Sequence, residues 1–76
     1  MRRSEFLMSL DELFELDPGT LKGEEDLDGI GWDSVRAIEF IVLVNEKVDL
    51  EVAPGSLSKA ATINDLVALL GDKVDP

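Results

Sequence analysis

Three segments of the sequence repeat apolar residues with the period of an α-helix, and each therefore has one apolar side that must be buried. The segments cover residues 4–16, 34–47 and 62–70. Their apolar sides consist, in chain order, of Phe6, Leu7, Leu10, Leu13 and Phe14, of Ala37, Phe40, Ile41, Val44 and Val48, and of Ile63, Leu66, Val67 and Leu70. Since a single helix cannot shield such a side from water, the pattern predicts a small all-α bundle.

The first helix is predicted over residues 4–16, with Ser4 as its N-cap. A later start is also possible, because Ser9 and Glu12 have the spacing of a capping box. The sequence Asp-Pro-Gly at 17–19 stops the helix, since proline disfavours a helical residue before it and glycine favours a turn. The charged residues of this segment, Asp11, Glu12 and Glu15, fall off the apolar side and are expected in solvent.

The second half of the chain offers a strand signal without a partner. Residues 48–52 alternate strictly, but no second strand exists to pair with them, so an extended connector is predicted. Residues 54–59 can hold one helical turn at most. Thr62 is the predicted N-cap of the last helix, with Asp65 at the third position, and Gly71 is its predicted end.

A loop of about a dozen residues separates the first two helices, which is long for a compact domain. It covers residues 20–31 and contains several glycines among acidic residues. Loops of this length are usually functional or disordered. Apolar residues spaced along and just after it favour an ordered loop anchored to the core, and these residues are Leu21, Leu27, Ile30 and Trp32.

The composition limits the size and the chemistry of the protein. With 76 residues the chain can form one core, so residues 1–76 are a single domain. The sequence contains no histidine and no cysteine, which excludes disulfides, CxxC metal or redox sites and the usual general base. A net charge of −10 disfavours nucleic acids and anionic membranes. No signal peptide or membrane-spanning segment is visible, so a cytoplasmic protein is expected.

The acidic residues of the long loop do not make a convincing metal site. If Gly29 is the invariant glycine of an EF-hand loop, Glu24, Asp26 and Asp28 occupy ligand positions. The bidentate glutamate that closes such a loop would then be Val35, so the site lacks its strongest ligand. Paired carboxylates are also expected by chance among 17 acidic residues, and small bundles lack the deep pockets that raise carboxylate pKa values. We therefore predict neither a metal site nor catalysis.

The most specific feature is Gly-Trp-Asp-Ser-Val at residues 31–35, at the start of the second helix. Asp33 or Ser34 can be an ordinary N-cap. However, a serine at a helix start also projects its hydroxyl beside free backbone N–H groups and the positive end of the helix dipole. A phosphate attached there would be stabilised. Ser34 is thus a plausible attachment point for a phosphate-linked group, with plain capping as the alternative.

The outward side of the second helix carries two valines among acidic residues. The residues that share this side are Val35, Glu39, Val42 and Glu46. Acidic residues are expected in solvent, but two valines beside them are explained by a partner surface. The alternative is that they are isolated exposed apolar residues, which are common.

Residues 31–35 resemble the G-x-D-S-[LMV] signature of acyl carrier proteins and related phosphopantetheine-binding carriers. The resemblance covers almost the whole chain, including Leu-Asp-Glu-Leu-Phe at 10–14, the turn at 17–18, Ile30, the helix at 35–47, Val-Ala-Pro at 52–54 and Thr62. It implies a four-helix bundle with a short third helix and a long loop between helices one and two.

The resemblance also implies roles for individual residues. Ser34 would receive 4′-phosphopantetheine from coenzyme A through a phosphopantetheinyl transferase, and Asp33 would help to coordinate the transferase's magnesium. The missing cysteine would then be replaced by the thiol of the prosthetic group, which holds an acyl group as a thioester. The implied partner-binding residues are Val35, Arg36, Glu39, Val42 and Glu46. The residues implied to line or neighbour an acyl cavity are Phe6, Ile38, Ile41, Val44, Ile63 and Leu66.

Three residues depart from the pattern of carriers for general fatty-acid synthesis. Arg36 and Asn45 stand where those carriers usually have acidic residues, and Trp32 replaces a small residue. The departures favour a stand-alone carrier dedicated to one pathway over a carrier of general fatty-acid synthesis, and fatty-acid, polyketide and other specialised pathways stay open. The protein is expected to be a monomer. Such a carrier is not an enzyme and works with acyl-loading and acyl-processing enzymes. The alternatives are an aminoacyl or peptidyl carrier, and an acidic helical interaction module without a prosthetic group.

Overall fold

The computed structural model of the protein describes residues 1–75 and contains four α-helices. In chain order these are α1 (Arg3–Leu13), α2 (Ser34–Val48), α3 (Pro54–Leu57) and α4 (Ile63–Ala68). Two 3-10 turns are added at Leu27–Ile30 and Gly71–Lys73. Within residues 1–75 there is no β-strand. Val48, predicted as the start of an extended connector, is the last residue of α2, and Asp49 caps the helix in a left-handed conformation, so residues 50–53 link α2 to α3 and bury Val52. The predicted all-α bundle, with its short third helix and its long loop between helices one and two, is confirmed.

The apolar sides of the helices meet in one core, as predicted. Phe6 of α1 and Phe40 of α2 are completely buried, and their rings pack edge to face with centroids 6.1 Å apart. The completely buried side chains from the three predicted apolar sides are Phe6, Leu10, Phe40, Val44, Ile63 and Leu66. Burial of these large apolar groups is the main source of stability in a domain of this size.

The helix α1 ends earlier than the apolar period over residues 4–16 predicts. Glu15 adopts a left-handed φ of 60°. The N–H of Leu16 donates to the carbonyl of Asp11 at 2.7 Å, and the N–H of Glu15 donates to the carbonyl of Glu12 at 3.1 Å. These two bonds form a Schellman motif, in which the left-handed residue is usually glycine. Because a glutamate takes that place, the sequence gives no conventional stop signal there.

The start of α1 also differs from the prediction. Arg2 is the N-cap residue, and its backbone N–H donates to Oε1 of Glu5 at 3.1 Å. Ser4 therefore lies inside the first turn and is not the N-cap. Ser9 does not begin a helix either, because it lies in the middle of α1 and its hydroxyl donates to the carbonyl of Glu5 at 3.2 Å.

The long loop is ordered by its apolar anchors and by one buried carboxylate. Leu21 and Leu27 are buried and the other two predicted anchors are partly buried, which confirms the anchored loop. Asp11 of α1, expected in solvent, is instead 1 % exposed. Its two carboxylate oxygens accept hydrogen bonds from the N–H groups of Gly19 and Leu21, each at 2.8 Å. Burial is tolerated because both oxygens find donors in the loop.

A second set of contacts joins the loop to α4. The carbonyl of Gly23, at a φ of 124°, accepts the N–H of Asn64 at 2.8 Å. The guanidinium of Arg3 donates to the carbonyl of Lys22 at 3.0 Å and to the side-chain oxygen of Asn64. Desolvation raises the pKa of Glu25, but hydrogen bonds from the N–H groups of Gly23 and Lys22 outweigh it and hold that pKa below its ordinary value.

The N-cap of α4 is confirmed, whereas its predicted end is not. The hydroxyl of Thr62 accepts the N–H of Asp65 at 3.3 Å, and the Asp65 carboxylate accepts the N–H groups of Ala61 and Thr62. The bonds from Ala61 and Thr62 lower the pKa of Asp65. The helix ends at Ala68 and not at Gly71, because the N–H groups that follow form the tighter i→i−3 bonds of a 3-10 turn.

The two ends of the described chain lie together beside the first turn of α1. The N–H of Arg3 donates to the carbonyl of Asp75 at 2.9 Å, and the N–H of Asp75 donates to the carbonyl of Met1 at 2.8 Å. The opposite end of α1 lies beside the first turn of α2.

Candidate functional site

Ser34 is the first residue of α2, and Asp33 is its N-cap. The Asp33 carboxylate accepts the backbone N–H of Arg36 at 2.9 Å, and the Asp33 carbonyl accepts the N–H of Ala37 at 3.0 Å. Both Asp33 and Ser34 are exposed to solvent. The structure therefore assigns the capping role to Asp33 and leaves Ser34 beside it at the helix N-terminus.

The local electrostatic field at Ser34 favours an anion. The first backbone N–H groups of a helix have no partner within the helix, and the macrodipole places its positive end there. The helix α2, with 15 residues, is the longest of the fold. A negatively charged phosphate ester on the hydroxyl of Ser34 would be stabilised by this end of the helix.

The backbone just before this site is fixed by a glycine and a tryptophan. Gly31 has a left-handed φ of 88°, a conformation that L-residues rarely adopt. The N–H of Trp32 donates to the carbonyl of Leu27 at 3.1 Å. The Trp32 ring packs against Phe14 and Phe40, with centroids 6.1 and 6.0 Å away. Trp32 is thus the predicted loop anchor, and it holds the loop on the core two residues before Ser34.

Arg36 links the first turn of α2 to the C-terminal end of α1. Its guanidinium donates to the carbonyl of Leu13 at 2.9 Å, one of the carbonyls that a helix end leaves without a partner. It forms ion pairs with Glu39 at 3.1 Å and Glu15 at 3.6 Å. It also lies over the Phe14 ring, 6.0 Å from the centroid. These contacts give the positive charge at this position a structural purpose that the sequence pattern did not reveal.

The predicted outward side of α2 is exposed in the structure. Val35 is 62 % exposed and Val42 is 50 % exposed, and Glu39 and Glu46 are also exposed. Arg36 differs from these four residues, because its guanidinium is engaged with α1. The structure thus brings four of the five predicted partner-binding residues together on one open surface.

Ile38 does not line the core, contrary to the sequence-based prediction. It is 63 % exposed, on the same side of α2 as Val35 and Val42. Ile41 is partly buried, and the other predicted cavity residues (Phe6, Val44, Ile63 and Leu66) are completely buried. The exposure of Ile38 could have been predicted from a helical wheel, because at 100° per residue Ile38 falls about 60° from Val35 and about 40° from Val42, which both lie on the outward side.

The described part of the chain offers no metal centre and no membrane helix. Among residues 1–75, no group of three or more acidic side chains is arranged to hold a metal ion. Asp26 pairs with Thr62 in an isolated bridge, and Asp28 lies in a 3-10 turn, so the loop does not adopt the path of an EF-hand. None of the described helices is long and apolar enough to cross a lipid bilayer.

Comparison with known proteins identifies the family. Residues 5–70 match the family model described as "Phosphopantetheine attachment site". The chain is also 30% identical to a protein of Bdellovibrio bacteriovorus named "Acyl carrier protein", over 63 residues that cover 82% of this chain and 81% of that protein. The chain belongs to the acyl carrier protein family. No solved structure gives a significant match.

Membership of the acyl carrier protein family identifies the cofactor as 4′-phosphopantetheine. The attachment end of this group is a phosphate that forms an ester with a serine hydroxyl. The residues at the start of α2 fit this requirement, because an exposed serine hydroxyl lies beside the positive end of the longest helix.

Proposed function

We propose that this protein carries acyl groups on 4′-phosphopantetheine attached to Ser34. The observation that supports this most strongly is the exposed position of Ser34 as the first residue of α2, next to the Asp33 cap. When bound, the prosthetic group supplies a terminal thiol that holds the acyl group as a thioester.

The other serines within the matched residues 5–70 are less suitable. The hydroxyl of Ser9 donates to a carbonyl within α1, and the hydroxyl of Ser58 donates to the carbonyl of Gly55 at 2.8 Å. Ser56 lies within α3, a helix of only four residues, whose dipole is correspondingly small. Of the four serines in this region, Ser34 is the one with an exposed hydroxyl at the start of a long helix.

The residues around Ser34 present the hydroxyl in a fixed position. Asp33 holds the first turn of α2 through the N–H of Arg36, and its carboxylate is exposed. We propose that this carboxylate helps to coordinate the magnesium ion of a phosphopantetheinyl transferase, and its exposure supports that role. Trp32 fixes the preceding loop on the core. The chain therefore orients the attachment point, and we propose that the bond-forming chemistry belongs to the transferase and to the acyl-loading and acyl-processing enzymes.

The role of the protein is proposed to be that of a monomeric, cytoplasmic carrier without catalytic activity. The name of the Bdellovibrio bacteriovorus relative supports acyl cargo over the alternative of aminoacyl or peptidyl cargo. Arg36, Asn45 and Trp32 support a dedicated pathway over general fatty-acid synthesis. In this proposal the two departures also have structural roles. Trp32 packs the loop against Phe14 and Phe40, and Arg36 joins the first turn of α2 to the end of α1.

The proposed docking surface for partner enzymes is the outward side of α2. It combines the exposed apolar side chains of Val35 and Val42 with the exposed carboxylates of Glu39 and Glu46. Arg36 lies beside this surface and neutralises part of the charge of Glu39 at 3.1 Å. An acidic surface with an apolar centre favours partners with a basic patch.

The test of the attachment site is direct. The protein is incubated with coenzyme A, magnesium and a phosphopantetheinyl transferase of broad specificity, and its intact mass is measured. We expect one phosphopantetheine per chain on the parent protein and on Ser56→Ala, and none on Ser34→Ala. Modification of Ser34→Ala would show that the group is attached at another residue and would contradict Ser34 as the attachment site. A parent chain that stays unmodified with several transferases would contradict the carrier function and favour the interaction module without a prosthetic group.

The docking surface needs a separate test with the modified protein. Charge reversal by Glu39→Lys or Glu46→Lys should slow acyl transfer from a cognate enzyme and reduce the salt dependence of its rate, because exposed charges steer the encounter. Glu24→Lys, which reverses an exposed charge in the long loop, is the matched control. Equal effects of all three substitutions would show that only net charge matters and that this surface is not recognised.

A further inference from the structure

An exposed apolar stripe runs along α2. In residues 1–75, five large apolar side chains are exposed, and three of them are Val35, Ile38 and Val42, with exposures of 62, 63 and 50 %. Their spacing of three and four residues places them in a row on one side of the helix. Exposed apolar residues on a protein surface are usually scattered singly, whereas a contiguous row of them is typical of an interaction site.

The stripe borders a groove between α1 and α2. The groove has a volume of about 430 Å³, and α1 supplies part of its lining, including Glu12 and Leu13. Leu13 and Leu43 are partly buried and form apolar contacts with the core, while Ile38 and Val42 are the exposed apolar members on the α2 side. The groove is therefore a surface shared by two helices.

The charges at the groove are mostly negative. Its described lining contains the three carboxylates of Glu12, Glu39 and Glu46 and the single ammonium group of Lys47. A second copy of the chain would bring the same carboxylates against one another, in a protein whose net charge is already −10. An anionic membrane is disfavoured for the same reason. Charge complementarity thus favours a basic protein partner.

We infer that the groove between α1 and α2 docks a basic amphipathic helix of a partner protein. The apolar side chains of that helix would contact Ile38, Val42 and Leu43. Its flanking lysines or arginines would pair with Glu12 on one side and with Glu46 on the other, since Glu39 is already paired with Arg36. A helix suits this geometry because its apolar residues recur at the spacing of the stripe. The inference rests on the proposed carrier function and extends the docking surface of α2 onto α1.

The inference is tested with a synthetic helical peptide whose apolar stripe is flanked by lysines and arginines. The ¹⁵N-labelled full chain is titrated with this peptide, and with a shuffled peptide of identical composition, while amide chemical shifts are recorded. We expect saturable shifts clustered at Glu12, Leu13, Ile38 and Leu43. The shuffled peptide should bind at least about tenfold more weakly, since its charges are the same but its apolar side is lost.

Matched variants show whether peptide binding depends on residues of the groove or only on the net charge and the exposed apolar residues of the protein. Glu12→Lys should raise the dissociation constant of the peptide about fivefold, and Ile38→Ser about tenfold. The controls are Glu24→Lys, an exposed acidic residue of the loop, and Met8→Ser, an apolar residue of α1 that is 54 % exposed and lies outside the groove. Both controls should bind like the parent chain.

Three results would overturn the inference. The first is a set of amide chemical-shift changes that spreads over the whole acidic surface, or that clusters on the side of α2 that faces α3. The second is a Glu24→Lys effect as large as that of Glu12→Lys. The third is concentration-dependent dimerisation of the protein alone that Ile38→Ser abolishes, which would assign the groove to a second copy. Because the titration uses the unmodified chain, its outcome is independent of whether Ser34 accepts phosphopantetheine.

Discussion

Replacing Arg36 by glutamine should destabilise the fold measurably, although Arg36 is a surface residue two positions after Ser34, the proposed attachment site. The side chain is 26% exposed, so most of its contacts are shielded from water. The substitution removes a charged donor from the Leu13 carbonyl, two ion pairs and a cation placed over the Phe14 ring. The effect of each contact can be estimated separately.

The hydrogen bond to Leu13 is the largest contribution, about 1 kcal/mol for a partly exposed charged donor. The ion pair with Glu39, within one helix, contributes about 0.3 kcal/mol. The pair with Glu15 is negligible because the Glu15 side chain is 83% exposed. The cation over Phe14 adds roughly 0.5 kcal/mol. The sum is about 2 kcal/mol, which for a domain of this size corresponds to a fall in Tm of roughly 8–16 °C.

The assay is thermal and urea unfolding followed by circular dichroism. Lys59→Gln is the matched control, because it produces the same change in net charge at an exposed residue and should change stability by less than about 0.5 kcal/mol. Arg36→Lys keeps the charge but loses the planar fork, so it should fall between the parent and Arg36→Gln. If Arg36→Gln and Lys59→Gln unfold at the same temperature, Arg36 does not join α1 to α2 in solution and the reasoning fails.

Three further predictions concern the core and the loop. Phe40→Ala should cost about 3–5 kcal/mol because the ring is completely buried, and cooperative melting near the parent temperature would contradict the assigned core. Gly23→Ala should cost about 1–3 kcal/mol in urea unfolding, since a Cβ at this positive φ would collide with the Asn64 side chain, whereas Gly55→Ala, with open space around it, should be nearly neutral. Asp65→Asn should destabilise the fold at pH 7. Because folding lowers the Asp65 pKa, its stabilisation is present above the ordinary value of 3.8 and is lost as pH falls through the lower folded value, so parent and variant should converge in acid. A difference that persists unchanged at low pH would show that the cap does not act through its charge.

The elements with strong local signals were predictable from the sequence. The apolar period of α2 and its start at Asp33 and Ser34 follow from residue spacing and capping chemistry. The same holds for the Thr62 cap of α4 and for Trp32 as a loop anchor. In each case the information lies within a few neighbouring residues, so the surrounding fold does not have to be known.

The features that escaped prediction depend on contacts between distant segments. Asp11 is buried because two N–H groups of the following loop reach its carboxylate, which no helical period can indicate. The helix α1 ends at a left-handed glutamate, Glu15, where glycine would have marked the end. In the sequence, Arg36 looks only like a basic residue in place of an acidic one on the surface. Its hydrogen bond to the Leu13 carbonyl forms only when α1 and α2 pack together, so the sequence does not indicate it. The exposure of Ile38 is different, because its position on the helical wheel beside Val35 and Val42 was enough to predict it.

The pairing of Met1 and Arg3 with Asp75 has a practical consequence for how the molecule can be tethered. Residues 1–3 and residue 75, the two ends of the described chain, lie at one point of the fold, and α1 separates that point by about 16 Å from the end of the bundle where Arg36 and Ser34 lie. A purification tag, a surface linker or a neighbouring domain joined at either end would therefore emerge from the same pole. Anchored in this way, the protein would pivot about a single attachment and keep its opposite pole turned toward the surrounding solution.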